Sequence, residues 1–271
     1  MREDPLSGMH DLRHLAGPFD IFGDVHGCAV ELIALFDRLG YASAWRGAGA
    51  ARRAEVRAPA DRLAVFVGDL VDRGPASPDV LRIVMAMVGD GQAVCIPGNH
   101  DAKFQRWLGG RNVTPSHGLD RSIAQFGQES ATFREEVRRF LDGLPLYAWL
   151  DQGRLAVAHA GIREEMLGQT SGRVRSFCLY GDTSGEVDAD GLAVRYHWAA
   201  EYAGATTVVY GHTPVAEAEW VNNTLCIDTG CAFGGQLTAL RWPERQIVSV
   251  PARAEYATRV RPFGHPPPRP R

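Results

Sequence analysis

Short apolar runs rich in β-branched and aromatic residues alternate, in the first half of the chain, with stretches whose apolar positions recur at helical spacing. Phe19-Asp20-Ile21-Phe22 predicts a short strand, and Glu31 to Leu39 a helix stopped by Gly40. Leu63-Ala64-Val65-Phe66-Val67 reads as a buried strand, and Pro78 lies near the start of a helix running to Val88. Ala93 to Ile96 is a third strand. Residues 102–142 alternate helical stretches, Arg121 to Phe126 and Thr132 to Leu141, with glycine breaks, and predict a helical insertion. Strands follow at Leu146 to Leu150 and Leu155 to Ala158, a hairpin about Asp151-Gln152-Gly153, then at Thr206 to Tyr210 and Leu225 to Ile227. Gln236 to Arg241 and Gln246 to Val250 close the pattern as a final hairpin. Strand–helix alternation first and hairpins later predict a mixed α/β sandwich, with one domain over residues 17–251.

Other stretches carry no such period. Residues 1–16 read as a polar lead-in, 43–61 as a surface loop, and 162–203 as loops with one short helix from Trp198 to Tyr202. The tail from Ala252 to Arg271 ends in a Pro- and Arg-rich run and is expected to be disordered.

Composition narrows the class. The 271 residues suffice for one sizeable core, 45% are hydrophobic and 23% charged, and the net charge of −3 argues against a nucleic-acid-coating surface. Of 29 basic residues only Lys103 is lysine, and it lies in no P-loop context, which disfavours kinase chemistry. The cysteines, Cys28, Cys95, Cys178, Cys226 and Cys231, form no CxxC pair and sit in or beside apolar runs, as reduced core residues do. No signal-peptide core and no run of ~18 apolar residues occurs, so a cytoplasmic protein without a membrane span is expected.

The chemistry-bearing residues lie just beyond the strands. Six strands end in a polar residue beside a glycine: Asp24 and His26, Asp69, Asn99 and His100, His159, His212, and Asp228. Loops beyond the carboxyl ends of strands in open α/β sheets gather on one edge. Carboxylate, imidazole and amide without thiolate suit divalent ions such as Mn, Fe, Ni or Zn. Asp24, His26, Asp69, Asn99, His159 and His212 are too many ligands for one tetrahedral site and suit two adjacent metals, with Asp69 as the bridging carboxylate. Such a pair activates a shared hydroxide for in-line attack on phosphorus. In Gly68-Asp69-Leu70-Val71-Asp72-Arg73-Gly74, Arg73 is placed to grip nonbridging phosphate oxygens. His100 fits a general acid for the leaving oxygen, with Asp72, or else Asp101, fixing its tautomer. Asp228 is assigned to orienting a ligating histidine or the acid.

The set GDVHG, GDLVDRG, GNHD, HAG and GH, spanning residues 20–230, resembles the calcineurin-like metallophosphoesterases of the phosphoprotein phosphatase branch. The resemblance implies a two-sheet β-sandwich flanked by helices and a dinuclear metal centre. It carries over the six ligands, Arg73 as phosphate clamp and His100 as acid. The later stretches at 172–175, 179–182, 194–200, 220–224 and 228–235 look like the phosphatase domain of bacterial polynucleotide kinase–phosphatase (Pnkp), and Asp228 matches a functional aspartate there. That likeness implies removal of 2′- or 3′-phosphates, or opening of 2′,3′-cyclic phosphates, on RNA ends with Mn or Ni. The chain has neither the kinase nor the ligase module of those proteins.

Asp72-Arg73 sets the chain apart from symmetrical diadenosine tetraphosphate hydrolases, whose matching loop usually lacks that aspartate. A dinucleoside polyphosphate hydrolase and a broad-specificity protein phosphatase are the alternatives. Arg173, Arg175 and Arg195 are candidates for a substrate rim and Lys103 for pairing with a nucleotide, while Trp107 reads as core packing ahead of stacking on a base. A non-catalytic module of this fold would be expected to lose ligands, and none of the six is missing.

Overall fold

The computed structural model describes residues 11–189 and 192–269. Two five-stranded sheets lie face to face. The first contains β1 (Phe19–Phe22), β4 (Leu63–Phe66), β5 (Ala93–Cys95), β13 (Gln236–Trp242) and β14 (Gln246–Pro251), in the order β14-β13-β1-β4-β5. The second contains β6 (Ala148–Leu150), β7 (Leu155–Val157), β10 (Thr207–Tyr210), β11 (Trp220–Val221) and β12 (Thr224–Cys226), in the order β11-β12-β10-β7-β6.

Alternation along the strands produces three apolar layers. Phe19 and Ile21 of β1, with Val65 of β4, point into the space between the sheets, where they meet Leu155, Val157 and Val209. Their neighbours Phe22, Ala64 and Phe66 point the other way, under α1 (Ala29–Leu39) and α2 (Ser77–Gly89). Likewise Ala156, Val208 and Tyr210 leave the second sheet's far face to pack on α6 (Gly172–Tyr180). This is the period-two consequence of the pleat. Strands buried on both faces are near-continuous apolar runs, which is why they were readable in the sequence.

The parallel pairings decide where the loops go. In the first sheet β1, β4 and β5 are mutually parallel, pairing Ile21 with Val65 and Val65 with Val94. In the second β7, β10 and β12 are parallel, pairing Val209 with Val157 and with Leu225. Each sheet therefore delivers three strand ends to one edge. The two edges meet, because the His212 amide after β10 donates to Asp24 after β1 at 3.0 Å.

The helical insertion is α3 (Asn99–Leu108), α4 (Leu119–Gly127) and α5 (Ala131–Asp142), joined to the apolar layer under α1 and α2 through Phe104, Leu119, Phe126 and Val137. Trp107 stacks on Phe104 at 5.5 Å, so it belongs to that packing.

Four stretches differ from the sequence reading. Residues 43–61 hold a hairpin, β2 (Ala42–Arg46) with β3 (Arg53–Arg57), whose alternation is carried by the small side chains Ala54 and Val56. Within 162–203 lie α6 and a second hairpin, β8 (Asp182–Val187) with β9 (Ala193–Tyr196), besides the expected helical turn at Trp198–Glu201. The first ten residues of the lead-in fall outside the described residues, but Leu12 donates its amide to the Trp149 carbonyl at 2.9 Å, so 11–16 pack on β6. Residues 252–269, expected to be disordered, run along the sandwich edge, with the Tyr256 amide donating to the Ala232 carbonyl at 3.0 Å. All five cysteines are buried thiols. Among the described residues no helix is long and apolar enough to cross a membrane.

Candidate active site

The loops at the joined edge are tightly bent. His26, Asp69, Asp72, Arg73 and His212 all have positive φ, from 44° to 73°, a region costly to residues with a Cβ. Strain of this kind, of order 1–3 kcal/mol per residue, persists where surrounding structure imposes it and clusters at functional sites. Two glycines make room for the carboxylates. A Cβ on Gly98 would lie 2.0 Å from Asp69 Oδ1, and one on Gly211 would lie 1.9 Å from Asp24 Oδ1.

The six expected ligands come together. Asp69 is nearly central: its Oδ2 lies 3.4 Å from His26 Nε2, and its Oδ1 lies 3.5 Å from His159 Nε2. His159 Nε2 is also 3.0 Å from Asn99 Oδ1 and 3.1 Å from His212 Nδ1. Backbone carbonyls orient two of the rings. Val71 C=O accepts from His26 Nδ1 at 2.7 Å, and Val67 C=O from His159 Nδ1 at 3.1 Å. That arrangement places the proton on Nδ1 and leaves each Nε2 unprotonated on the Asp69 side.

The donor set fits divalent cations. Asp24 Oδ1 and His212 Nε2 are buried without a hydrogen-bond partner. Buried polar atoms are normally satisfied, so such orphans need an occupant. Burial, with Asp228 and Asp69 nearby, pushes the Asp24 carboxyl well above its ordinary range, and burial with Asp101 does the same to Asp69. Burial followed by the Arg73 charge holds His26 and His100 well below the usual histidine value; His159 falls to about 3. Neutral imidazoles around carboxylates that lack compensating charge are the ligand form of these residues.

Beside this cluster His100 Nδ1 donates to Asp72 Oδ2 at 2.6 Å. Asp72 is therefore the carboxylate that fixes its tautomer. Asp101 instead accepts the amides of Gly98 at 2.8 Å and Leu70 at 2.9 Å, stapling two site loops. Ser122 was not picked out in the sequence. Its hydroxyl donates to Asp72 Oδ1 at 2.7 Å and accepts the Asp72 amide at 2.8 Å. Burial raises Asp72 to about 7 against the pull of that serine. Arg73 donates to His100 Nε2 at 2.9 Å and also touches His26 Nε2, with its guanidinium 4.8 Å above the Phe233 ring. Asp228 is buried beside Asp24; burial raises it to about 6, and it accepts the Gly230 amide at 3.0 Å.

A cavity of about 950 Å³ opens from Arg73, Asn99, His100 and His212. Its lining includes Lys103, Arg106, Arg121, Arg195, Arg259 and Arg261 against a single carboxylate, Asp120. Of the proposed rim residues only Arg195 lines it. Arg173 and Arg175 are exposed on α6 and do not.

The profile of the calcineurin-like phosphoesterases matches residues 17–236, in the region that builds both sheets and this site. The chain belongs to the calcineurin-like phosphoesterase family. It is a metal-dependent hydrolase of phosphate esters, in a family that uses a dinuclear divalent metal centre. The phosphoesterase is 46% identical over 250 residues to the asymmetrical bis(5′-nucleosyl)-tetraphosphatase PrpE of Anoxybacillus flavithermus, covering 90% of this chain and 99% of that one. It is 46% identical to the protein of the same name from Geobacillus thermodenitrificans, covering 86% and 94%.

Among solved structures, a candidate diadenosine tetraphosphatase superposes with a TM-score of 0.63 at 25% identity, covering 89% of this chain and 96% of that one. A serine/threonine phosphatase from Saccharomyces cerevisiae superposes with a TM-score of 0.60 at 13% identity, covering 90% and 83%, which shows the shared fold. These relatives carry the name of the alternative drawn from the sequence rather than of RNA-end repair. The expectation that Asp72 argues against a dinucleoside tetraphosphatase is corrected by the two PrpE relatives, which are named for the asymmetrical reaction.

Proposed function

We propose that the phosphoesterase hydrolyses dinucleoside polyphosphates, cleaving a tetraphosphate asymmetrically into a nucleoside triphosphate and a nucleoside monophosphate. The observation that carries this reading is the strongly basic cavity of about 950 Å³ next to the ligand cluster. Small-molecule sites span roughly 300–1,000 Å³, so this one is sized for a nucleotide rather than a lone phosphate. Several arginines on one lining suit a polyanion, because a planar guanidinium can pair with two phosphate oxygens. The names of the relatives agree.

In this reading Asp24, His26, Asp69, Asn99, His159 and His212 hold two divalent cations, with the two oxygens of Asp69 turned to opposite ligand groups. Manganese or nickel suits the oxygen- and nitrogen-rich set. The cations, when bound, supply Lewis-acid polarisation of the phosphoryl group and activation of water. Arg73 pairs with the nonbridging oxygens of the phosphate attacked. His100, its Nδ1–H held by the Ser122–Asp72 chain, acts as acid for the leaving oxygen once Nε2, which accepts from Arg73 here, takes up a second proton as Arg73 turns to the substrate phosphate. Asp228 adds a second buried carboxylate on the Asp24 side, negative charge that the cations would offset, rather than orienting a histidine as expected from the sequence.

The test is a comparison of kcat/KM for diadenosine tetraphosphate, an RNA 3′-phosphate, a 2′,3′-cyclic phosphate and a phosphoserine peptide, each with manganese and nickel. The tetraphosphate is expected to be the best substrate. Preference for the RNA ends would restore the polynucleotide-repair reading drawn from the later motifs, and preference for the phosphopeptide would make the chain a protein phosphatase.

A further inference from the structure

The cavity has two unlike sides. One is made by the loops that carry the catalytic candidates, and the other by residues 257–267 of the tail, which supply much of the remaining lining. This segment contains no regular element, yet it is tied at several points. The Ala257 amide donates to the Ala232 carbonyl at 2.9 Å, and the Gly264 amide to the Pro214 carbonyl at 2.9 Å, two residues after the candidate ligand His212. Farther on, the His197 amide donates to the Pro267 carbonyl at 2.8 Å, and the His197 and His265 rings stack at 4.1 Å. Arg269 pairs with Asp182 and lies 4.6 Å over the Tyr196 ring.

Within this frame a row of two phenylalanines flanked by two arginines leads outward from the reacting centre. Arg73 lies 4.8 Å over the Phe233 ring, Phe233 packs against Phe263 at 6.5 Å, and Arg259 lies 4.7 Å over the Phe263 ring. Gly230 makes room for it: a Cβ there would stand 2.4 Å from Phe263 Cζ. Both phenylalanines are half-buried and line the cavity, so each keeps part of its surface toward the space a ligand would fill. Aromatic faces left open bind bases by stacking, and the flanking arginines pair with phosphates.

We propose that the tail, through Phe263 and Arg259, forms a subsite for the nucleoside and phosphates remote from the bond that is cleaved. The inference rests on the dinucleoside polyphosphate reading of the cavity. A base held on the tail would also set the register of the phosphate chain, and with it which phosphorus meets the ligand cluster.

The experiment measures inhibition of nitrophenyl phosphate hydrolysis by diadenosine tetraphosphate and, separately, by inorganic phosphate, in the full-length metal-loaded protein. Phe263→Ala should raise the ratio of the tetraphosphate inhibition constant to the phosphate constant by roughly five- to a hundredfold, the range that one lost base–aromatic stack is worth. Phe263→Tyr should keep the original ratio. Arg259→Ala should raise it by an amount that shrinks with added salt. An unchanged ratio in Phe263→Ala, or both constants moving by the same factor, overturns the subsite. Failure of the tetraphosphate to inhibit the intact protein overturns it as well. If the tetraphosphate inhibits with the expected ratios but is not cleaved, the subsite stands and the hydrolase reading falls.

Discussion

A single methyl group at Gly211 should disable the site. Gly211 does not lie in the left-handed region, so alanine is compatible with its backbone. Its amide donates to the His159 carbonyl at 2.7 Å, a bond the substitution leaves in place. The added Cβ, however, would stand 1.9 Å from Asp24 Oδ1, where ordinary contact begins near 3.4 Å. The oxygen must then retreat by about 1.5 Å, and a misplacement of ~1 Å near the reacting atoms is worth roughly a hundredfold in rate. Asp24 Oδ2, which accepts the His212 amide at 3.0 Å, moves with it. We expect manganese affinity to fall at least 10-fold, by the ~10–100-fold scale for disturbed ligand support, and kcat to fall ~100-fold. Equilibrium dialysis with metal analysis reads the first and nitrophenyl phosphate hydrolysis the second, while circular dichroism checks the fold. Asp24→Asn, which adds no volume, should reproduce the loss. Wild-type manganese affinity and kcat in a folded Gly211→Ala protein would refute the placement of Asp24 as a ligand.

Three further outcomes probe other parts of the account. His100→Asn should retain its metals by elemental analysis and lose activity mainly on esters with poor leaving groups; equal loss on activated and unactivated esters removes His100 from the acid role. Arg73→Ala should lower turnover by ~10²–10³, the scale for a fixed electrostatic stabiliser, together with phosphate inhibition; an unchanged phosphate constant contradicts the clamp. The third concerns acid. Burial and the adjacent His265 lower His197 to about 4 from an ordinary 6.5, so the packed state holds it neutral and the released chain does not. Its contribution to holding the tail is therefore complete above about pH 6.5 and is lost as pH falls toward 4. Hydrogen exchange at the Gly264 amide should become less protected across that window, and pH-independent protection would exclude the histidine stack as a fastening.

Much of the site was legible in the sequence because its chemistry is local. Each candidate ligand follows an apolar strand beside a glycine, and parallel pairing brings three such ends from each sheet to a common edge. Strands like β4 and β10, buried on both faces, announced themselves as apolar runs. What could not be read depends on contacts distant in sequence. Ser122 is 50 residues from the Asp72 it holds, and nothing around it in α4 distinguishes it from a surface serine. Arg173, Arg175 and Arg195 look alike in composition, but the first two point to solvent from α6 whereas β9 carries Arg195 to the cavity. The hairpin of β2 and β3 escaped notice because its buried positions include Ala54, too small to mark a strand. The tail's packing relies on the space at Gly230 and the carbonyl of Pro214, neither visible from its own Pro-rich composition.

The most direct test of the central claim is the identity of the products formed from diadenosine tetraphosphate by the manganese-loaded protein, separated by ion-exchange chromatography at early times. Adenosine triphosphate and adenosine monophosphate in equal amounts are the predicted result. Adenosine diphosphate as the sole product would contradict the asymmetric reading, and no turnover of the tetraphosphate by a protein that hydrolyses nitrophenyl phosphate would contradict the substrate assignment itself.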